Sequence, residues 1–426
     1  MWPARWPDVQ PVPDHERRDP QPGPPATGTP AGGWLLVAGL FTVLMVSSGL
    51  GFYNHSLYMA TLAAEKGWAL STLSGAVSLF FVVSGGFGMF VARLIDRHDV
   101  RWTMAAGSIV AGAALTLLGF AESIVQVYAA FALFGLGYSA VSLVPSTTLV
   151  ARWFTTNRSV ALSVASTGLS VGGVLVTPLS VWLIAQSGFA AAVPWLGLAF
   201  VALTLPIVLL MVRPWPPGRG PTAAVQAVAD GVPYADAVRG RFFLLGTLAF
   251  MLVMLAQVGG IAHLFSLGME RVGAAAAGTS VSVLAVCSIT GRLAGGALVS
   301  RLPMRAFIVV NMAGQGVGLM LLAHAHTAPA LWLGAALFGL TVGNLLMLQP
   351  LLLVEAFGLR DYGRIYAASQ GLTTLGVAAG PATVGILHDA AGGYVSAFTA
   401  VGACSLTAMV VFLAAGRANA RGAEPV

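Results

Sequence analysis

Residues 274–299 set the architecture expected of this chain: Ala274-Ala-Ala-Ala-Gly-Thr-Ser-Val-Ser-Val-Leu-Ala-Val-Cys-Ser-Ile-Thr-Gly-Arg292-Leu-Ala-Gly-Gly-Ala-Leu-Val299. This apolar run exceeds the roughly 20 residues that carry a helix across a bilayer. It contains one cation, Arg292, and no Asp or Glu that would neutralise it. A charge at membrane depth is costly and usually marks a functional site. We therefore expect Arg292 to bind an anion reversibly.

The composition predicts that membrane-spanning segments occur along the whole chain. Of 426 residues, 57% are hydrophobic and only 8% are charged, against about 25% charged in soluble domains. Near-continuous apolar runs of about 20 residues predict helical spans rather than a β-barrel. The net charge of +6 is spread over short connections, so we expect membrane lipid and no nucleic acid as a partner.

Twelve spans are predicted, and they fall into two groups of six. A polar break rich in Pro and Gly separates residues 34–212 from residues 242–415, with a linker at 213–241 and polar tails at 1–33 and 416–426. The N-terminal tail has the composition of a disordered segment. The predicted bounds are 34–61, 71–93, 103–121, 124–151, 159–186, 190–212, 242–268, 274–299, 306–324, 329–354, 363–387 and 394–415.

The basic residues give the expected orientation. Of the 21 Lys and Arg residues, 18 lie in the tails, the linker and the connections on one side of the twelve spans. Lys66 and Arg271 lie on the other side, and Arg292 lies in the membrane. Because basic residues accumulate in cytoplasmic loops, both termini are predicted to be cytoplasmic, in a multi-pass protein of the cell membrane.

The two halves also repeat each other at an offset of 204 residues. The sequence Ala132-Leu-Phe-Gly-Leu136 recurs as Ala336-Leu-Phe-Gly-Leu340, and two arginines of the first half, Arg97 and Arg101, have counterparts at the same offset. Duplicated six-helix halves are typical of secondary transporters, which hold their substrate near the midplane between the halves.

The loop after the second span resembles a signature of the major facilitator superfamily. Its sequence is Ala92-Arg-Leu-Ile-Asp-Arg-His-Asp-Val-Arg101, with Ala92 and Asp99 where the pattern has glycine. The resemblance implies an all-α fold of two pseudo-symmetric six-helix bundles and a cytoplasmic latch in which a carboxylate pairs with arginines on neighbouring helix ends. The latch residues are Asp96, Arg97, Arg101 and Arg301. The alternative is ordinary positive charge in a cytoplasmic loop.

Four short motifs narrow the resemblance to the monocarboxylate transporter and oxalate–formate exchanger branch. They are Gly67-Trp-Ala-Leu-Ser71, Gly135-Leu-Gly-Tyr138, Ala151-Arg-Trp-Phe154, and Phe357-Gly358 with Tyr362-Gly363. The resemblance implies that Arg292 binds a substrate carboxylate, since a guanidinium can hold one through two parallel hydrogen bonds. The alternative is an arginine tied to backbone carbonyls, with a structural role only.

Two positions of that branch differ here. Exchanger-like members carry a second cation on the eleventh helix where this chain has Gln370. Gln370 is therefore a candidate substrate-binding residue, and the lack of a second cation favours a monocarboxylate over a dicarboxylate. Proton-coupled members carry an acid where this chain has Ser288. Coupling to a proton therefore stays open, either through the protonated acid itself or through a histidine.

Other polar residues in the spans are candidates for the same site. Tyr53, Asn54 and Tyr58 are predicted to line the cavity, because the first helix of each bundle does so in repeat-built transporters. Tyr138 matches a cavity tyrosine of the resembled branch, with a packing role as the alternative. Simple interhelical hydrogen bonds are expected for other polar residues of the C-terminal half. These are Gln257, His263 and Asn344.

We therefore expect a secondary carrier of small organic anions, specifically monocarboxylates, that works by alternating access. The alternative is an efflux carrier for amphipathic drugs or metabolites, with Arg292 structural. The sequence contains no Walker loop and no catalytic constellation, so we expect neither an enzyme nor a cofactor.

Overall fold

The computed structural model describes residues 32–154, 157–214, 231–298, 301–358 and 360–416. These residues form an all-helical protein, which confirms the predicted fold class. Eleven of the described helices are long and apolar enough to cross a membrane. The helix Tyr362–Ala391 is not among these eleven, but it is 30 residues long and covers the predicted eleventh span, so we count it as the twelfth. The twelve spans are Gly33–Lys66, Leu70–Arg97, Val100–Gly119, Ile124–Trp153, Arg158–Ser187, Phe189–Met211, Arg241–Arg271, Ala274–Leu298, Met304–Ala323, Ala328–Phe357, Tyr362–Ala391 and Tyr394–Ala414.

Two spans contain interruptions that hydropathy alone does not reveal. A π-helical turn, Gly49–Tyr53, divides the first span. The fourth span breaks between Ser139 and Leu143, just before Pro145, which has no N–H with which to continue the hydrogen-bond ladder. A π turn inserts an extra residue and changes which side chains face a given neighbour.

The end of the linker is structured. Predicted only as a polar break, it contains a short helix, Tyr234–Arg239. The Tyr234 N–H donates to Asp361 Oδ2 at 2.9 Å, and the Arg364 guanidinium lies 4.7 Å from the centre of the Tyr234 ring. This segment therefore docks on the C-terminal half. Residues 215–230 of the linker and most of both predicted tails lie outside the described residues.

Consecutive spans run in opposite directions, so their ends form two faces. We call the face near both ends of the chain the terminal face and the opposite one the distal face. The terminal face is formed by the span ends Gly33, Arg97, Val100, Trp153, Arg158, Met211, Arg241, Leu298, Met304, Phe357, Tyr362 and Ala414, and the distal face adjoins residues 66–70, 119–124, 187–189, 271–274, 323–328 and 391–394.

The two halves are joined mainly toward the distal face. The first span packs there on the seventh, and the second span on the eleventh. Hydrogen bonds across these contacts run from Phe265 N and Ser266 N to Ser56 Oγ at 2.9 and 3.2 Å, from Ser71 N to Asp389 Oδ2 at 2.9 Å, between Ser74 Oγ and His263 Nε2 at 3.0 Å, and from Ala382 N to Ser78 Oγ at 3.0 Å. The protein is therefore closed on its distal side.

Ser56 gives a direct test of this closure. Its hydroxyl accepts two backbone N–H groups of the seventh span, and a typical hydrogen bond contributes about 1 kcal/mol. We expect Ser56→Ala to raise the distal-open population several-fold, measured by double electron–electron resonance as a shift to longer distances between spin labels at Ala69→Cys and Ala391→Cys, exposed positions on opposite halves, with Cys287 and Cys404 replaced by alanine. Ser187→Ala removes a bond made only to its own helix. The same shift in this control, or no change with Ser56→Ala, would contradict the assignment.

Candidate anion-binding site

Arg292 lies at the contact between the two halves, where the eighth span packs on the fifth. Its side chain is only 6% exposed, and Nη1 donates to the Ser166 carbonyl at 3.0 Å. Nε is buried and has no hydrogen-bond partner among the described residues. Nor does any carboxylate whose side chain the structure describes form an ion pair with it. The guanidinium therefore keeps donor capacity and an unneutralised charge.

Two glycines set the position of the arginine. A Cβ on Gly291 would run into the Leu340 carbonyl oxygen, so the eighth and tenth spans are in backbone contact there. On the tenth span, a Cβ on Gly343 would lie 3.1 Å from Arg292 Cβ. Small residues allow such close approach in membranes. With the tenth span so near on one side, the Arg292 side chain extends across to the fifth span.

Two serines lie beside Arg292 at the same contact. Ser170 Oγ of the fifth span and Ser288 Oγ of the eighth are 3.4 Å apart. Both side chains are fully or almost fully buried. Ser166, Ser170 and Gly173 stand at helical spacing on one side of the fifth span. That spacing was the available sequence signal for Ser166 and Ser170, which sequence reasoning missed.

Of the predicted candidates, Tyr53 comes nearest to Arg292. A Cβ added to Gly173 would lie 3.0 Å from the Tyr53 ring and 2.9 Å from Ala285 Cβ. Tyr53 thus sits where the first, fifth and eighth spans meet, within electrostatic reach of Arg292 and close to the Ser170 hydroxyl. A tyrosine hydroxyl there can both donate to and accept from a bound oxyanion.

Tyr138 of the fourth span joins the same group. Its ring would lie 3.0 Å from a Cβ on Gly51 and packs against Phe80, with 5.1 Å between ring centres. It is also within electrostatic reach of Tyr53. Tyr53 of the first span therefore lies between Arg292 of the eighth span and Tyr138 of the fourth.

Asn54 and Tyr58 make their contacts elsewhere. Asn54 Nδ2 donates to Ser180 Oγ at 2.8 Å and to Tyr58 Oη at 3.4 Å. The Tyr58 ring meets Phe189 edge-on, with 6.1 Å between centres. These contacts lie inside the N-terminal half. The structure does not bring the two side chains to Arg292 in this state.

His55 occupies an aromatic cage in the same half. Phe80, Phe81, Phe131 and Phe134 surround its ring. Neither ring nitrogen has a hydrogen-bond partner among the described residues. Enclosed by four phenyl rings and without a polar contact among the described residues, His55 is a packing residue here.

Gln370 lies on the eleventh span and is half-buried. Its backbone carbonyl accepts from Thr374 Oγ1 at 2.8 Å. No contact brings its side chain to the Arg292 group in this state. Beside it lies a polar cluster that sequence reasoning missed. Ser369 Oγ is 2.9 Å from both Thr247 Oγ1 and Gln349 Nε2, and Gln349 Nε2 also donates to Thr373 Oγ1 at 2.9 Å.

Interhelical hydrogen bonds are confirmed for two of the residues for which they were expected. Asn344 Nδ2 donates to Asn311 Oδ1 at 3.0 Å and so joins the tenth span to the ninth. His263 Nδ1 lies 3.1 Å from Tyr394 Oη, and Nε2 lies 3.0 Å from Ser74 Oγ. Nε2 also lies 3.1 Å from the Pro381 carbonyl. His263 therefore links the seventh span to the second, the eleventh and the twelfth.

At the predicted latch, the structure pairs Arg101 with Asp99. Two guanidinium nitrogens reach Asp99 Oδ2 at 2.6 and 2.9 Å, and Asp99 also accepts from the Arg101 N–H. The hydrogen bonds from the Arg101 side chain hold the pKa of the Asp99 carboxyl below its usual range. The side chains of Asp96 and Arg97 lie outside the described part, and Arg301 lies in an exposed turn. A latch centred on Asp96 stays a prediction.

Comparison with known proteins agrees with this architecture. The sequence profile of the Major Facilitator Superfamily matches residues 41–368. Monocarboxylate transporter 13 of Rattus norvegicus is 26% identical, covering 91% of this chain and 90% of its own. Monocarboxylate transporter 11 of Homo sapiens is 27% identical, covering 94% and 86%. The MFS-type transporter pynF of Aspergillus niger is 26% identical, covering 76% and 74%.

A solved structure has the same fold. It is that of a bacterial homolog of the human lysosomal transporter Spinster, described as inward-facing and unoccupied. It superposes with a TM-score of 0.64 at 14% identity, covering 91% of this chain and 96% of its own. At this identity the likeness concerns the fold alone.

Proposed function

The chain belongs to the Major Facilitator Superfamily, and we propose that this secondary transporter carries small organic monocarboxylates whose carboxylate binds Arg292. The observation that carries the proposal is the buried guanidinium at the contact between the halves. It has a free Nε and no ion-pair partner among the described side chains. A carboxylate would supply the missing charge and accept two parallel N–H bonds.

The surroundings of Arg292 favour a small acid with one charge. Tyr53, Ser170 and Ser288 offer hydroxyl groups near the guanidinium, whereas a second cation would be needed to balance a second carboxylate. The eleventh-span position where exchanger-like proteins carry that cation is Gln370 here. Two relatives that match along most of this chain are named monocarboxylate transporters, which supports the same substrate class.

Transport would proceed by movement of residues 34–212 against residues 242–415. Arg292 is anchored on the eighth span and bonded to the Ser166 carbonyl on the fifth, so it contacts both halves. A substrate bound there would compete for the donors that now serve Ser166. By the positive-inside rule, the terminal face is cytoplasmic and the distal face is outside. The distal contacts would then close the outer side, and Asp96, Arg97, Arg101 and Arg301 would form the latch of the opposite state.

The test is ligand binding to the purified full-length protein. We expect a panel of small monocarboxylates to raise the unfolding temperature and the corresponding uncharged amides to leave it unchanged, because only the acids supply a charge to Arg292. A ligand at 100 times its Kd stabilises the folded state by about 2.7 kcal/mol. Equal shifts with acids and amides would overturn the proposal, as would a response only to amphipathic compounds, which would favour an efflux carrier.

A further inference from the structure

A second group of titratable side chains lies at the distal face, away from Arg292. His388, near the end of the eleventh span, has a carboxylate oxygen at each ring nitrogen. Nδ1 is 2.9 Å from Asp389 Oδ1, and Nε2 is 3.1 Å from Glu270 Oε2 of the seventh span. The His388 side chain is 20% exposed, so protons from the aqueous phase can reach it.

This geometry specifies the charge state of the ring. A neutral imidazole has one N–H, so it can donate to only one of two ionised carboxylates and must turn a lone pair toward the other. An imidazolium donates to both, through hydrogen bonds that the charges strengthen. The arrangement is therefore complete only when His388 carries a proton.

Asp389 connects this histidine to the other half of the protein. Its second oxygen, Oδ2, accepts from the Ser71 N–H at 2.9 Å. Ser71 lies in the first turn of the second span, which begins at Leu70, where backbone N–H groups lack partners within the helix and the helix dipole favours a negative charge. The chain of contacts thus runs from Glu270 through His388 and Asp389 to the N-terminal half.

Among the described residues, no group other than His388 donates a hydrogen bond to Asp389 Oδ1 or Glu270 Oε2. The Tyr394 ring lies 4.4 Å from the imidazole, centre to centre, and its hydroxyl is 3.1 Å from His263 Nδ1. Arg271 Nη1 donates to the Ala323 and Ala325 carbonyls at 2.9 Å while remaining within electrostatic reach of Glu270. His263 is within electrostatic reach of His388 but is bonded to Ser74 and Tyr394.

We propose that His388 is a proton-binding site whose occupancy holds the distal side of the transporter closed. When the proton leaves, one of the two carboxylate contacts is lost. Asp389 is then held less firmly against the second span. A ligand shifts a conformational equilibrium only by its difference in affinity between the two states. The proton binds the closed state more tightly than the open state if opening separates Asp389 from Ser71 and disorders the triad of Glu270, His388 and Asp389. The inference requires alternating access but does not depend on which substrate is carried.

The experiment measures the distal opening without any substrate. Spin labels are placed on Ala69→Cys and Ala391→Cys, two exposed positions on opposite halves at the distal face, with Cys287 and Cys404 replaced by alanine. Distances between the labels are measured by double electron–electron resonance across about pH 5 to 8, where imidazoles titrate. We expect the ratio of closed to open molecules to fall several-fold as the pH rises.

His388→Gln provides the decisive comparison, since a neutral side chain cannot titrate and the ratio should no longer depend on pH. His326→Gln is the matched control, because His326 lies exposed in another distal connection and should leave the response intact. A constant ratio in the parent protein, or an unchanged response in His388→Gln, would overturn the proposal. If that variant does not fold, Glu270→Gln must weaken the response, and a response of full size would also overturn it. Since no carboxylic-acid substrate is added in this experiment, failure of the monocarboxylate assignment would leave its result unaffected.

Discussion

Arg292→Ala is expected to abolish transport of carboxylates while the protein remains folded in the membrane. Arg292 is 6% exposed and no described carboxylate side chain pairs with it, so a bound acid would form its principal ionic contact there. A hydrogen bond to a charged group contributes about 1.5–3 kcal/mol, and two such bonds correspond to at least a hundredfold in affinity. Uptake into proteoliposomes and the thermal shift with acids measure the loss.

The unfolding temperature separates this role from a structural one. If Arg292 only ties the fifth span to the eighth through the Ser166 carbonyl, its removal should destabilise the protein. If it is a substrate site, the variant without ligand should unfold at the same temperature or higher, because a buried, unneutralised cation has been removed. Arg239→Ala, at an exposed position outside the spans, is the control. Undiminished uptake by Arg292→Ala would rule out the assignment.

Gly291→Ala is expected to destabilise the C-terminal half and to displace Arg292. The added Cβ would run into the Leu340 carbonyl oxygen. Because that atom belongs to the helix backbone, only separation of the eighth and tenth spans can relieve the overlap. Overpacking of this kind costs about 1–3 kcal/mol. The unfolding temperature should fall, and carboxylate affinity should fall with it because Arg292 is the adjacent residue.

Gly278→Ala is the matched control on the same span. Its Cβ would meet Val181 Cγ2 at 3.6 Å, an ordinary van der Waals contact. Both substitutions replace glycine with a better helix former, so their difference isolates the close approach. Equal unfolding temperatures for the two variants would show that the eighth and tenth spans do not need glycine at position 291.

The first span shows where prediction from sequence succeeded and where it could not. Polar residues within an apolar run predicted that Tyr53, Asn54 and Tyr58 line the cavity. The pattern does not determine which of them lies near Arg292. Neighbouring side chains on a helix point about 100° apart, and the π turn at Gly49–Tyr53 shifts the register further. Tyr53 consequently faces the fifth and eighth spans, and Asn54 faces Ser180.

The histidines make the same point. His55, His263 and His388 are the same residue type, yet His55 is enclosed by phenyl rings, His263 links its span to three others, and His388 lies between two carboxylates. Apart from Asp389, which directly follows His388, their partners come from residues far away in the chain. The local pattern around His388 therefore supplies one carboxylate, but it does not reveal that Glu270 supplies the other.

The sequence by itself determined the membrane location, the helical spans, their duplication and the isolated cation. These follow from local composition, because a backbone in lipid must satisfy its own hydrogen bonds and a charge there is costly wherever its helix packs. Only the tertiary structure decided that Arg292 contacts Ser166, that Asp389 reaches the N-terminus of the second span, and that the distal side is closed. Those contacts join residues 126 and 318 positions apart, and they depend on how the two halves pack together rather than on any periodicity along the chain.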